Sequence, residues 1–279
     1  MLAPPSLQGA LGALICRDTT GAGLSDVQRL SHFPASPMVT LSWFHGAEGG
    51  LVDTSTARSG WRPFGASIVF SGSHTHPMVT WASGGGRGYI ACFLPDVVRA
   101  LFGFDPAIIQ DRFVPVHEVV GREWAPLWEA LLGAGGDAAA MQALERGLAP
   151  RWQAIHDAEF SLGPLRRLGR HWVERLAWQA HDWRRTRSPR QVERRVKAFS
   201  GRSLREWQSL TRTEGVFFAA RERYENGEGL DWATLALDEG FADQAHMSRA
   251  IRQIGGFAPT EFVGRYLEDE SFWVYRLWV

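Results

Sequence analysis

Polar side chains around residue 244 are spaced so that they share one face of a helix, with donors suited to DNA base edges. Met247, Ile251 and Ile254 recur at the i, i+4, i+7 spacing of a buried helical stripe. The opposite face is left with Gln244, Ala245, His246, Ser248, Arg249 and Arg252. Gln can pair with adenine, and Arg with guanine or phosphate. The pattern predicts a recognition helix over 244–254.

An earlier set of polar residues has the same design. Ser188 is a good N-cap, and Pro189 suits the first position of a helix. Val192 and Val196 fall on the inward face. The residues left outside are Arg190, Gln191, Glu193, Arg194 and Lys197. We expect a first recognition helix over 190–200.

The elements that must position these helices are also visible. Before the later helix, Leu235 and Ala236 predict a short helix, and Gly240 predicts a turn that needs a left-handed backbone. Phe241 is an apolar plug after that turn, and Asp243 is a good N-cap. This order is typical of a helix-turn-helix. Residues 204–224 predict one long helix between the two units.

Residues 188–266 resemble the DNA-binding domain of the AraC family of bacterial transcription factors, in which a long helix joins two helix-turn-helix units. The resemblance is carried by SPRQVERRVKAFSGRS, Arg212, LALDEGFADQAHMSRAIRQIGGFAP and the closing Glu261-Phe262. In the family a short Leu-Ala helix lies close before the first recognition helix. Here Leu176 and Ala177 lie further from Ser188, so the supporting helix should be longer or irregular. The resemblance implies a transcriptional regulator with double-stranded DNA as its partner, no catalytic residues and no cofactor.

The distribution of charge agrees with a polyanionic partner. The chain has 30 basic and 30 acidic residues, but residues 165–205 alone hold 13 basic and 3 acidic side chains, a net charge of +10. Residues 206–279 hold 7 basic and 13 acidic, a net charge of −6. Such a run indicates either a surface for nucleic acid or a solvated helix face.

The first half of the chain has the texture of short strands. Runs such as 38–44, 68–70 and 89–94 are β-prone and bounded by glycine and proline, which favours an antiparallel sandwich or barrel. Gly72-Ser73-His74-Thr75-His76-Pro77 and the segment from Phe93 to Phe102 resemble, diffusely, the cupin-like sensor domains attached to some AraC-like regulators. We therefore predict an α+β protein of two domains. Residues 1–150 would form a strand-rich cupin-like barrel or sandwich with trailing helices, which senses a small molecule or forms a homodimer. Residues 165–279 would form the all-α DNA-binding domain, with the boundary within 150–164.

A cupin-like metalloenzyme with an appended basic helical domain is the alternative. His74 and His76 on a strand would point to one face, as metal ligands do, with His117 and Glu118 as further candidates. Polar residues at a turn before Pro77 explain the same pattern without a metal, so no residue is assigned as a metal ligand.

Other classes of protein are excluded or disfavoured. Lys197 is the only lysine and no Gly-Lys-Ser/Thr motif is present, which excludes a P-loop nucleotide hydrolase. No apolar run is long enough to span a membrane, and the N-terminus is a poor signal peptide. The 2 cysteines, Cys16 and Cys92, form no redox or zinc motif. We expect a cytoplasmic protein with no membrane partner.

Overall fold

Short β-prone runs in the first half of the chain form two sheets, and helices dominate the second half. The structure, a computed structural model, describes residues 1–53, 60–155 and 165–277, without the side chains of 165–168. The predicted α+β class is confirmed. The boundary predicted within 150–164 falls mostly on 156–164, outside the described residues. No helix of the described ranges is long and apolar enough to cross a membrane.

The strands form one sheet of five in the order β1-β8-β3-β6-β9 and one of four in the order β2-β7-β4-β5. Their bounds are β1 Leu11–Asp18, β2 Leu30–Phe33, β3 Val39–His45, β4 Gly49–Asp53, β5 Gly60–Pro63, β6 Ile68–Ser71, β7 Met78–Ala82, β8 Arg87–Phe93 and β9 Phe113–Pro115. The helices that follow them are α1 Pro95–Phe102, α2 Ala125–Leu132 and α3 Asp137–Ile155.

A row of apolar side chains crosses the five-stranded sheet. Leu14 of β1 is opposite Ala91 of β8, Ala91 is opposite Leu41 of β3, and Leu41 is opposite Phe70 of β6. All four are fully buried. Residues opposite one another in antiparallel strands project from the same face, so these side chains form one continuous apolar row. Phe70 packs edge-on against Phe102 of α1, with 5.0 Å between ring centroids. The row therefore forms the inner face on which the helices pack.

The second half contains the helices α4 to α10. Their bounds are α4 Leu165–Trp183, α5 Pro189–Ser200, α6 Leu204–Glu225, α7 Trp232–Asp238, α8 Gln244–Gly255, α9 Phe262–Glu268 and α10 Trp273–Leu277. Trp172 of α4 meets Trp207 of α6 edge to face, with centroids 5.4 Å apart. A second cluster, around Phe217 of α6, Met247 of α8 and Phe257, joins α6 to α10. The long connecting helix predicted over 204–224 is confirmed as α6.

The chain divides into two compact units. Unit 1 comprises Met1–Ser31, Pro37–Ser73 and Val79–Pro164, and unit 2 comprises His32–Ser36, His74–Met78 and Leu165–Val279. Unit 2 therefore includes two short segments from the first half of the chain.

Both segments make polar contacts within unit 2. The amide of Ala35 donates to the carbonyl of Ile254 at 2.9 Å. The guanidinium of Arg202 donates to the carbonyl of Thr75 at 2.8 Å. These contacts fall at the C-terminal ends of α8 and α5, so the segments help to hold both helix ends in place.

Candidate nucleic-acid interface

The second helix-turn-helix forms as its capping residues predict. Asp231 caps α7 by accepting from the amide of Ala233 at 3.0 Å, and Asp243 caps α8 by accepting from the amide of His246 at 2.6 Å. Gly240 in the turn has φ of 74°, the left-handed conformation that its residue type permits. The amide of Phe241 then donates back to Ala236 at 2.8 Å, and the Phe241 ring is buried. The predicted turn is confirmed.

Helix α8 has one buried and one exposed face, as the spacing predicts. Met247, Ile251 and Ile254 are buried. Five of the six outward residues are exposed and the sixth, Ser248, is half-buried: Gln244, Ala245, His246, Arg249 and Arg252 lie in solvent. The geometry places these six candidate base-reading residues on one surface.

Most polar side chains of that surface are not engaged in hydrogen bonds within the protein. Among described residues, the side chains of Gln244, Arg249 and Arg252 make no hydrogen bond or ion pair. The ring of His246 lies edge-on to Phe241 with centroids 5.3 Å apart. Donors and acceptors that lack internal partners remain open for base edges or phosphates.

The first helix-turn-helix is built from α4, a turn at 184–188 and α5. At 19 residues, α4 is the longer supporting helix that the spacing predicts. Ser188 and Gln191 form a reciprocal capping box at the start of α5. Val192 and Val196 are buried, and Gly201 ends the helix with a left-handed backbone. Local sequence signals thus fix both ends of this helix.

The outward residues of α5 are more engaged than those of α8. Gln191 accepts from the amide of Ser188 at 2.9 Å, and Glu193 lies 3.3 Å from Lys197. Arg190 and Arg194 are exposed and have no side-chain partner among the described residues. All five predicted residues therefore lie at the surface, but three of them already have a structural contact.

Helix α6 connects the two helix-turn-helices. Its N-terminus carries a capping box of Ser203 and Glu206, whose hydrogen bonds lower the pKa of the Glu206 carboxyl. Trp207, near the start, and Ala220, near the end, are both fully buried. The guanidinium of Arg212 in α6 donates to the carbonyl of Gly240, in the turn of the second helix-turn-helix, at 3.3 Å. Both recognition helices, α5 and α8, therefore pack on the same long helix.

The histidines of the metal interpretation do not share a face. His74 and His76 lie in the connection between β6 and β7, where His74 is buried and His76 is exposed. The ring of His76 is 2.7 Å from the hydroxyl of Thr75. His117 and Glu118 are both at the surface. Within the ranges the structure describes, no three His, Cys, Asp or Glu side chains are grouped so that they could hold a metal ion.

Neither cysteine is activated as a nucleophile. Burial raises the pKa of the Cys16 thiol to about 11 and that of the Cys92 thiol to about 12. A reactive cysteine needs the opposite shift, since the thiolate is the nucleophile.

Comparisons with known proteins give a distant likeness. No family model matches the chain, and no curated protein matches it. Solved structures of ToxT from Vibrio cholerae do match. An apo lysine-to-alanine variant of ToxT is 11% identical to this chain, with a TM-score of 0.45. The match covers 95% of this chain and 99% of the ToxT chain. ToxT bound to (E)-4-(8-methylnaphthalen-1-yl)but-3-enoic acid is 12% identical, with a TM-score of 0.40. That match covers 91% of this chain and 98% of the ToxT chain. At these values the likeness decides neither the fold nor the function of the chain.

Proposed function

We propose that this chain is a transcriptional regulator of the AraC type that binds duplex DNA in a sequence-specific manner. The observation that carries the proposal is the exposed face of α8, which follows a capped turn. On this face the side chains of Gln244 and Arg249 have no partner among the described residues, and Arg252 is exposed. In a helix-turn-helix that face enters the major groove. Helix α5 belongs to the first helix-turn-helix, which α6 joins to the second.

The two recognition helices would occupy successive major-groove segments on one side of the duplex. Such segments are about 34 Å apart. The first half of the chain would supply the response to a small molecule, or a homodimer interface. Both cysteines are free thiols, as is usual in the reducing cytoplasm, where we expect the chain to act. The resemblance to the AraC family implies that it carries out no catalysis itself.

Selection of duplexes from a random pool with the purified full-length protein tests the proposal. We expect enrichment of a defined site and a specific affinity about 10³-fold or more above that for random duplex. Affinity should fall steeply with salt. Equal retention of selected and random duplexes would refute sequence-specific binding.

The role of the first half has a separate test. Sedimentation of the protein with and without its selected duplex shows whether one or two chains occupy a site. A monomer whose affinity for the duplex does not respond to any of a panel of small metabolites would contradict both assignments for this half.

A further inference from the structure

Several arginines in the last part of the chain are paired with nearby carboxylates. Arg221 lies 2.7 Å from Glu225, and Arg265 lies 3.0 Å from Glu261. Arg223 is likewise paired with Asp238. These pairs neutralise part of the positive charge of residues 206–279, whereas Arg249 and Arg252 on the exposed face of α8 form no ion pair among the described residues.

The turn between α4 and α5 is different. It brings Arg184, Arg185 and Arg187 to the surface within four residues. In the part of the chain that the structure describes, the side chain of Arg184 has no partner, and that of Arg187 contacts only the hydroxyl of Thr186 at 3.2 Å. Arg185 is 3.8 Å from Asp182, a long and exposed pair. The turn therefore carries nearly its full positive charge.

This charge continues into the first turns of α5. Arg190 and Arg194 are four residues apart, so their side chains lie on the same face of the helix. Like charges at this spacing destabilise a helix, and among the described residues no carboxylate offsets either one. A bound polyanion would offset the repulsion along the whole series from 184 to 194.

On the exposed face of α5, the guanidinium groups of Arg190 and Arg194 are unpaired, but the other polar side chains already have partners among the described residues. Its one amide, Gln191, is held in the capping box, and Glu193 is paired with Lys197. Arg195 lies over the ring of Trp183, 4.5 Å from its centroid. Helix α8, by contrast, presents Gln244 and Arg249 unpaired. The two recognition helices thus differ in the chemistry that they offer.

We infer that the turn 184–187, together with Arg190 and Arg194, is a binding site for neighbouring phosphates of a DNA strand. The first helix-turn-helix then supplies affinity that is independent of sequence, and the second supplies the discrimination between bases. The inference rests on the proposed function, because the phosphates are those of the bound duplex. Arg184 and Arg187 are the residues that this adds to the interface.

The salt dependence of binding tests the phosphate site. We would measure the binding constant of the full-length protein for a selected and a random duplex between 0.05 and 0.3 M salt, about the range in which the dependence is usually read. Each phosphate contact contributes roughly 0.9 to the slope of log K against log salt. The double variant Arg184→Gln/Arg187→Gln should therefore lose about 1.8 from the slope, and about 30-fold in affinity near 0.15 M salt. The loss should be equal for both duplexes.

A matched control carries the same change in net charge elsewhere. Arg122 and Arg146 are exposed arginines of unit 1, and Arg122→Gln/Arg146→Gln should leave the slope unchanged. Arg249→Ala should lower the ratio of specific to random affinity, which the turn variant should preserve. Circular dichroism and thermal unfolding confirm that each variant is folded.

The outcomes separate the two ideas. An unchanged slope in the turn variant overturns the phosphate site while leaving the proposed function intact. Loss of discrimination at defined base pairs in that variant also overturns it, because the turn would then read bases. If the unaltered protein does not distinguish the two duplexes, the proposed function fails, and the slope comparison still decides the phosphate site. Absence of any duplex binding overturns both.

Discussion

Replacement of Gly240 by alanine tests the turn that aims α8 at its ligand. The φ of 74° is a conformation in which an L-residue with a Cβ is strained by about 1–2 kcal/mol. A Cβ built on Gly240 meets no atom within 4 Å, so contacts with neighbours add nothing to this cost. The lower entropy of the unfolded alanine variant returns a few tenths of a kcal/mol or more. We expect a net loss of about 1 kcal/mol in the free energy of unfolding.

Gly264 provides the matched control for this substitution. It lies in α9, is exposed, has no positive φ, and a Cβ there also meets no atom within 4 Å. Gly264→Ala should therefore stabilise the protein, by roughly 0.5–1 kcal/mol from helix propensity. Urea unfolding followed by circular dichroism measures both variants, and Gly240→Asn should fall between them because asparagine tolerates the left-handed region. Stabilisation by both alanine substitutions would refute the left-handed turn and, with it, the aim of α8.

Three further predictions concern binding, pH and thiol chemistry. Arg249→Ala should cost roughly 1–3 kcal/mol of affinity for a selected duplex with unfolding unchanged, and an unaltered affinity would place this arginine outside the interface. Burial raises the pKa of Glu214 from 4.5 to about 8, so the folded state holds this proton more tightly and stability should fall as pH rises from about 4.5 to 8. The fall should be smaller than for a fully buried group, because Glu214 is only half-buried, and Glu214→Gln should abolish it; a stability difference between the two proteins that is the same at pH 5 and pH 8 would contradict this. Cys16 and Cys92 should react with a thiol reagent at pH 7 far more slowly in the folded than in the unfolded protein, because their pKa values are raised, and equal rates would show that neither thiol is protected.

Local signals allowed the recognition helices to be placed from the sequence. The caps Ser188 and Asp243 and the left-handed Gly240 act through hydrogen bonds and backbone preferences within a few residues. The structural use of Gln191 was also readable, because a Ser followed three residues later by Gln is the capping-box pattern. A residue with a strong local role has less freedom to contact a ligand, and that reduces the claim of Gln191 as a base-reading group.

Features that depend on contacts between residues far apart in the chain cannot be predicted from local sequence patterns. Strand β1 shows no clear alternation because its pairing with β8 shifts between Leu11 and Ala13, and such a bulge interrupts the two-residue period. The inclusion of 32–36 and 74–78 in unit 2 depends on bonds such as that from Ala35 to Ile254, which span most of the chain. No short-range pattern encodes such a contact, so sequence periodicity is silent about it.

Charge shows the same division between what counting predicts and what pairing decides. A net charge of −6 over 206–279 argues against a surface for DNA there. Glu225 and Glu261 are each bound to an arginine near them in sequence, whereas Asp238 pairs with an arginine 15 residues away. These carboxylates pair with arginines outside α8. Glu261 also interacts electrostatically with Arg252 of α8, whereas Arg249 remains without a partner among the described residues. The potential that a phosphate meets at α8 is therefore set by which charges are left unpaired near it, since exposed charges beyond about 10 Å are screened at ordinary salt.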